Sequence, residues 1–135
     1  MSRLDHVTQQ MTGFNHLVGG RLTDWGPDMA HTRLELRPEL LNSQEIVHGG
    51  VYCTFLDFTC GMAGLYYPEG EARKACVTLS LTTNFISSTS AGALHGIGKR
   101  IGGGRKIFYT EAEIRDDAGT LLATAMGTFK YSQPR

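Results

Sequence analysis

GGVYCTFLDFTCGMAGLYY, residues 49–67, holds a single charged side chain, Asp57, and its apolar residues point in nearly every direction of a helical wheel. A surface helix shows one apolar stripe, so a helix apolar all round must be buried on most sides. Nineteen residues are too many for an ordinary strand, and Pro68 stops the segment. The spacing therefore predicts a long central helix over 49–67.

The flanking segments supply what could enclose it. Upstream, Thr32, Leu34 and Leu36 alternate with His31, Arg33, Glu35 and Arg37, the period of two expected of a half-buried strand. Trp25-Gly26-Pro27-Asp28 is a turn, so 18–25 and 30–36 are predicted as a hairpin, ended by Pro38. Downstream, Val77, Leu79, Leu81 and Phe85 share one parity. Strands are predicted at 94–101, 107–114 and 121–131, separated by Gly102-Gly103-Gly104 and the turn Asp116-Asp117-Ala118-Gly119. Leu4, Val7, Met11 and Phe14 stand at helical spacing, which predicts a short N-terminal helical segment within 1–14 packed at the edge. The order of elements implies an α+β fold, an antiparallel β-sheet wrapped around one long helix, in a single domain over 1–135.

With 135 residues, about two-thirds of the unfolded surface can be buried, so a core needs no staples. Thirteen Lys and Arg balance thirteen Asp and Glu. Binders of nucleic acid or anionic membrane usually carry a basic excess, so neither partner is expected. A neutral chain also lacks charge repulsion against self-association. Cys53, Cys60 and Cys76 form no metal-ligand ladder, and an odd number of thiols suits a reducing, cytoplasmic compartment. No apolar run reaches the length of a membrane span. His6, His16, His31 and His95 show no metal-ligand spacing, and Gly96-Ile97-Gly98 is not a dinucleotide fingerprint.

Asp57 admits two readings. It marks either a position where the central helix surfaces, or a carboxylate whose pKa is raised by burial and which is a candidate base or nucleophile. Asn42 and His48-Gly49-Gly50 precede the same helix. These glycines either turn the chain or leave helix N-terminal N–H groups open to developing negative charge, as in an oxyanion hole. Gly50 and Asp57 lie about 20° apart around the helix and about 10.5 Å apart along it, so one reacting centre cannot touch both. Two such helices packed antiparallel about a two-fold axis would bring each Asp57 to the other's N-terminus, giving two composite sites per dimer.

Asn42, His48-Gly49-Gly50 and Asp57, followed by Val77-Thr78-Leu79-Ser80-Leu81 and Gly119-Thr120-Leu121-Leu122-Ala123, resemble the signature of the PaaI-like hotdog-fold acyl-CoA thioesterases over residues 15–131. The resemblance implies that Asn42 positions the thioester or a water, that the Gly49 N–H polarises the carbonyl, and that His48 orients the sulfur side. It implies that Asp57 from the other subunit is general base or nucleophile, assisted by Thr78. Simple alternation puts Thr78 opposite Val77, Leu79 and Leu81, so reaching Asp57 requires a bulge or a local twist. Ser87-Ser88 stands where the family often has proline.

The implied substrate is an acyl-CoA, cleaved to free acid and CoA by a homodimer or dimer of dimers. No cofactor or metal is expected, CoA being part of the substrate. Its phosphates need cations, and Lys99, Arg100, Gly104 and Arg105, with Lys106, Arg73 and Lys74 nearby, are the candidates. The same fold can host an enoyl-CoA hydratase or dehydratase, or bind acyl-CoA without turnover. Tyr52, Phe55, Phe58, Met62, Tyr66 and Tyr67 either line an acyl pocket or fill the core.

Overall fold

A computed structural model describes residues 1–135. Its elements are α1 (Arg3–Gln10), α2 (Phe14–Val18), β1 (Arg21–Gly26), β2 (Met29–Glu35), α3 (Gly49–Ala63), β3 (Ala75–Phe85), β4 (Ala93–Gly103), β5 (Ile107–Arg115) and β6 (Leu121–Ser132). The six strands form one sheet in the order β1-β2-β4-β5-β6-β3, with every neighbouring pair antiparallel. α3 packs against β2, β4, β5, β6 and β3, which is the enclosed-helix α+β arrangement expected from its composition.

What lets the sheet close on the helix is the absence of side chains where they meet. A Cβ at Gly98 of β4 would stand 2.7 Å from the Thr59 backbone oxygen, and one at Gly96 would collide with the Thr32 and Thr59 hydroxyls. Those two buried hydroxyls bond each other at 2.7 Å, so the close approach strands no polar atom there. Around this seam, Phe55 and Leu56 of α3 pack with Leu34, Leu94, Phe108, Ile114, Leu122 and Phe129 in one continuous core cluster.

The caps set the limits of α3. His48 is extended, and its Nδ1 accepts the Gly50 N–H at 2.8 Å. The helix ends at Ala63, four residues short of the predicted Tyr67. The Phe108 ring fills the space a Cβ at Gly64 would need, and Tyr66 and Tyr67 turn away to meet Trp25 edge-on, at 5.2 and 5.4 Å between ring centroids. Nine residues of α3 are buried, but Gly50, Thr54 and Asp57 form a stripe that the sheet does not fully cover.

Three other expectations are corrected. The N-terminal segment is two helices, because Gly13 adopts φ 74° between them; Val7 is buried, whereas Phe14 is 65% exposed. β1 begins at Arg21 and not Val18, because Val18 ends α2 and Gly19 follows in a left-handed conformation, φ 104°. On β3, Val77 and Leu79 do not share a core-facing row with Leu81. A register shift between Thr78 and Ser80 leaves them 50% and 54% exposed, while Leu81 packs on the core.

The seam gives a direct test. Gly98→Val forces a branched side chain against helix backbone, which cannot yield as a side chain can. It is expected to cost about 1–3 kcal/mol or more and to lower Tm in a thermal melt, whereas Gly104→Ala, facing open space, leaves Tm within about a degree or two.

Candidate active site

Asp57 sits two turns into α3 on the uncovered stripe. The β3 bulge turns Thr78 toward it, and the Thr78 hydroxyl donates to Asp57 Oδ1 at 2.7 Å. Sequence alternation alone did not bring these two together; the one-residue irregularity in pairing with β6 did. Burial pushes the Asp57 carboxyl above the ordinary carboxylate range, and the Thr78 hydrogen bond offsets only part of that shift. Thr78 occupies one oxygen and leaves Oδ2 to work. Both earlier readings of Asp57 thus hold in part: the helix does surface there, and the group is still desolvated.

The second group of candidates lies at the N-terminus of α3. Asn42 Oδ1 accepts the Gln44 N–H at 2.9 Å and the Ile46 N–H at 3.4 Å, closing a tight loop that returns the chain to His48. His48 N donates to Leu40 O at 2.9 Å. The first helical donors are not all open, as the sequence suggests, because the His48 ring takes the Gly50 N–H. The Gly49 N–H is directed to no acceptor in the chain, at the positive end of the helix dipole. Within one chain, Gly49 and Asp57 are about 12 Å apart along the helix axis, as the residue count requires.

Asp57 heads a groove of about 220 Å³. One side is Phe58, Gly61 and Met62 of α3 with Leu65 just beyond its end; the other is Ala75, Cys76 and Thr78 of β3, with Phe129 of β6 also lining the groove. Arg73 and Lys74 line its wall, and with Ala75 they also line a second cavity of about 750 Å³ that holds Arg100, Gly104, Arg105 and Tyr131. Nε of Arg73 and Nε of Arg100 are buried without partners, and Asp28 stands 3.9 Å from Arg100. Three of the four expected phosphate ligands therefore meet in one place. Lys99 does not: it lies one residue from Arg100 on a strand, so it points to the opposite, exposed face.

Cys76, Met11 and Tyr131 were not anticipated. Cys76 shares the parity of Thr78, so alternation placed it within reach of Asp57. Desolvation, together with the Asp57 charge, pushes its thiol up to about 12, and the thiolate is absent at neutral pH. Met11 carried no signal beyond helical spacing.

A sheet closed around one helix, with a desolvated carboxylate on the open stripe and a cationic cavity leading off it, defines the class of hotdog-fold thioester hydrolases. The family comparison agrees: the thioesterase superfamily matches residues 44–123. "Putative esterase Rv1847" of Mycobacterium tuberculosis is 31% identical over 111 residues, 82% of this chain and 79% of that protein. The fold is shared with thioesterase HI1161 of Haemophilus influenzae, at TM-score 0.85 and 19% identity, covering 98% of this chain and 92% of that one. It is also shared with the E. coli PaaI protein from the phenylacetic acid degradation operon, at TM-score 0.79 and 18% identity, covering 97% and 92%. The chain belongs to the thioesterase superfamily and is a thioester hydrolase with the PaaI-like hotdog fold.

The raised carboxyl has a consequence for stability. The folded state holds the Asp57 proton more tightly than the unfolded chain, so stability falls as pH rises from the ordinary carboxylate pKa through the raised one. Above that window the buried charge is a standing cost. Asp57→Asn keeps an acceptor for Thr78 and removes the charge. It is expected to raise Tm at pH 8, with the gain fading toward pH 3, as followed by calorimetry across pH.

Proposed function

We propose that the chain hydrolyses acyl-CoA thioesters as a homodimer in a reducing, cytoplasmic setting, without a cofactor of its own. The observation that carries this reading is the Asp57–Thr78 pair at the head of a groove that leads to the guanidinium groups of Arg73 and Arg100, whose Nε atoms have no partner. About 13 Å of strand separates Thr78 from Lys74. An extended pantetheine arm spans such a distance, which supports the thioester at Asp57 and the phosphates at Arg73, Lys74, Arg100 and Arg105.

The second half of the site comes from a second copy. β3 is an edge strand with no charged residue and no proline, and exposes Val77, Leu79 and Phe85 at 50%, 54% and 55%, with Ile86 beyond it at 56%. Such an edge invites strand pairing. Antiparallel pairing of two β3 edges would set the α3 helices side by side, with Asp57 of one protomer near the partner's Gly49. A further dimer of dimers is supported by Ile97, Ile101, Tyr109 and Met126, each 42–58% exposed on the sheet's outer face.

In this arrangement the partner's Gly49 N–H and helix dipole stabilise the oxyanion as the carbonyl is attacked. Asp57 Oδ2 takes a proton from the attacking water; collapse of the tetrahedral intermediate breaks the C–S bond, and the CoA thiolate takes up the proton held by Asp57. Alternatively, Asp57 Oδ2 attacks the carbonyl carbon itself, and the C–S bond breaks to give a mixed anhydride and CoA thiolate. Water then hydrolyses the anhydride, restoring Asp57 and supplying the thiolate's proton. Asn42 and His48 shape the loop that holds the oxyanion end in place.

Asp57→Asn is expected to lower kcat by about 10²–10⁴-fold in a thiol-release assay. Unchanged turnover in the folded variant would remove Asp57 from that role, and hydration of crotonyl-CoA in place of cleavage would reject the thioesterase reading. Gly49→Pro tests the oxyanion half. Proline is accepted at the first helical position, the extended His48 suits it, and only ordinary contact with Phe85 results, so the change removes mainly the N–H. An equal mixture of Asp57→Ala and Gly49→Pro chains, after subunit exchange, should recover about a quarter of wild-type activity, since half the dimers carry one intact site. Arg73→Ala and Arg100→Ala should raise KM about tenfold for acyl-CoA and leave acyl-pantetheine, which lacks phosphates, unaffected.

A further inference from the structure

α1 lies outside the layers that make the fold, yet it is fastened at several points along its length. Val7 is buried in the core at 4% exposure, and Thr8 Oγ1 accepts the Leu22 N–H at 3.1 Å. Gln10 Oε1 accepts from the Tyr67 hydroxyl at 3.5 Å. At its start, the Arg3 guanidinium sits among three rings, 5.3 Å from the centroid of Trp25, 5.8 Å from Tyr66 and 5.2 Å from Tyr67, and also donates to the Tyr67 carbonyl oxygen. Two of these rings meet Trp25 edge-on, so the cluster presents an aromatic recess filled by a cation. Trp25 is itself held by its indole N–H, which donates to Met62 O at 2.8 Å.

The residue that follows this fastened helix is Met11. It caps α1 through its own N–H, which donates to Thr8 O at 2.9 Å, and its side chain lines the groove headed by Asp57. Every other wall of the groove comes from α3, the α3–β3 connection, β3 or β6. A long, unbranched thioether adapts to an irregular chain lying against it.

We propose that Met11 is a binding residue for the pantetheine arm of the substrate, and that Arg3, seated among Trp25, Tyr66 and Tyr67, is the positioning residue that holds it against the groove. This rests on the acyl-CoA reading above and extends the site to a helix outside the hotdog layers. Arg3 acts only through the docking of α1, because it lines neither cavity.

The test is a KM and kcat series on the full-length dimer with acyl-CoA esters of increasing chain length. Met11→Ala is expected to raise KM roughly three- to tenfold for every acyl length, with kcat nearly unchanged and chain-length preference unmoved. Arg3→Ala should do the same, and the double variant should be no worse than the poorer single one, since both act on one contact. Arg3→Lys, which keeps a cation among the rings, should restore most of the wild-type KM. A thermal melt confirms that each variant is folded at the assay temperature.

An unchanged KM in folded Met11→Ala overturns the proposal. So does a shift in the preferred acyl length, which would place the acyl group and not the arm in this groove. An Arg3→Ala defect that Arg3→Lys fails to rescue removes Arg3 from the role. Wild-type thiol release, assayed alongside, separates the two levels: if the wild type cleaves no acyl-CoA ester the acyl-CoA reading fails, and if it turns over while Met11→Ala is normal only the role of α1 fails.

Discussion

Helix α3 lies so close to β4 that neither Gly96 nor Gly98 can carry a side chain. That closeness lets a single sheet of only six strands cover most of a helix that has almost nothing polar to offer water. It also determines what stays uncovered. A sheet curled around a cylinder leaves a slot between its two edges, and the slot falls on Gly50, Thr54 and Asp57. The one acid of the helix is therefore where the enclosure fails to close.

Asp57 in that slot is a compromise between two demands. A carboxylate in full contact with water would be a weak base, and one fully enclosed would not ionise at neutral pH. Half-burial raises its proton affinity, and the Thr78 hydroxyl limits the rise while fixing the orientation of the group. The groove beneath is apolar, and its neighbouring thiol is held protonated. The groove's negative charge is concentrated on one oxygen pair, and Arg73 and Lys74 line the same wall.

Much of this was legible beforehand, for a physical reason in each case. An all-apolar stretch broken by one acid can be read as an enclosed helix because burial demands composition. Alternation in 30–36 and 107–114 marked strands because a sheet has two faces. The Thr78 problem was also visible: parity forbade the contact without a bulge or a local twist, and the structure supplies the bulge. Other features had no such signature. The helix ends at Ala63, and the space beside the Gly64 that follows is filled by Phe108, forty-four residues away in sequence. Lys99 was grouped with Arg100 by proximity along the chain, and the strand separates them onto opposite faces. Met11 joins the groove because α1 docks by contacts far apart in sequence, among them the buried Val7 and the Arg3 guanidinium against Tyr67.

By itself, then, the order of residues determined the class of fold, the identity of the enclosed helix and the acid it displays, since each follows from short-range periodicity and from the cost of hiding charge. Tertiary structure decided how deeply Asp57 is buried, which hydroxyl reaches it, which cations face the same cavity and which end of the chain walls the groove. Those depend on distances between segments far apart in sequence, set by how closely backbones approach where glycine replaces a side chain, and no local pattern encodes them.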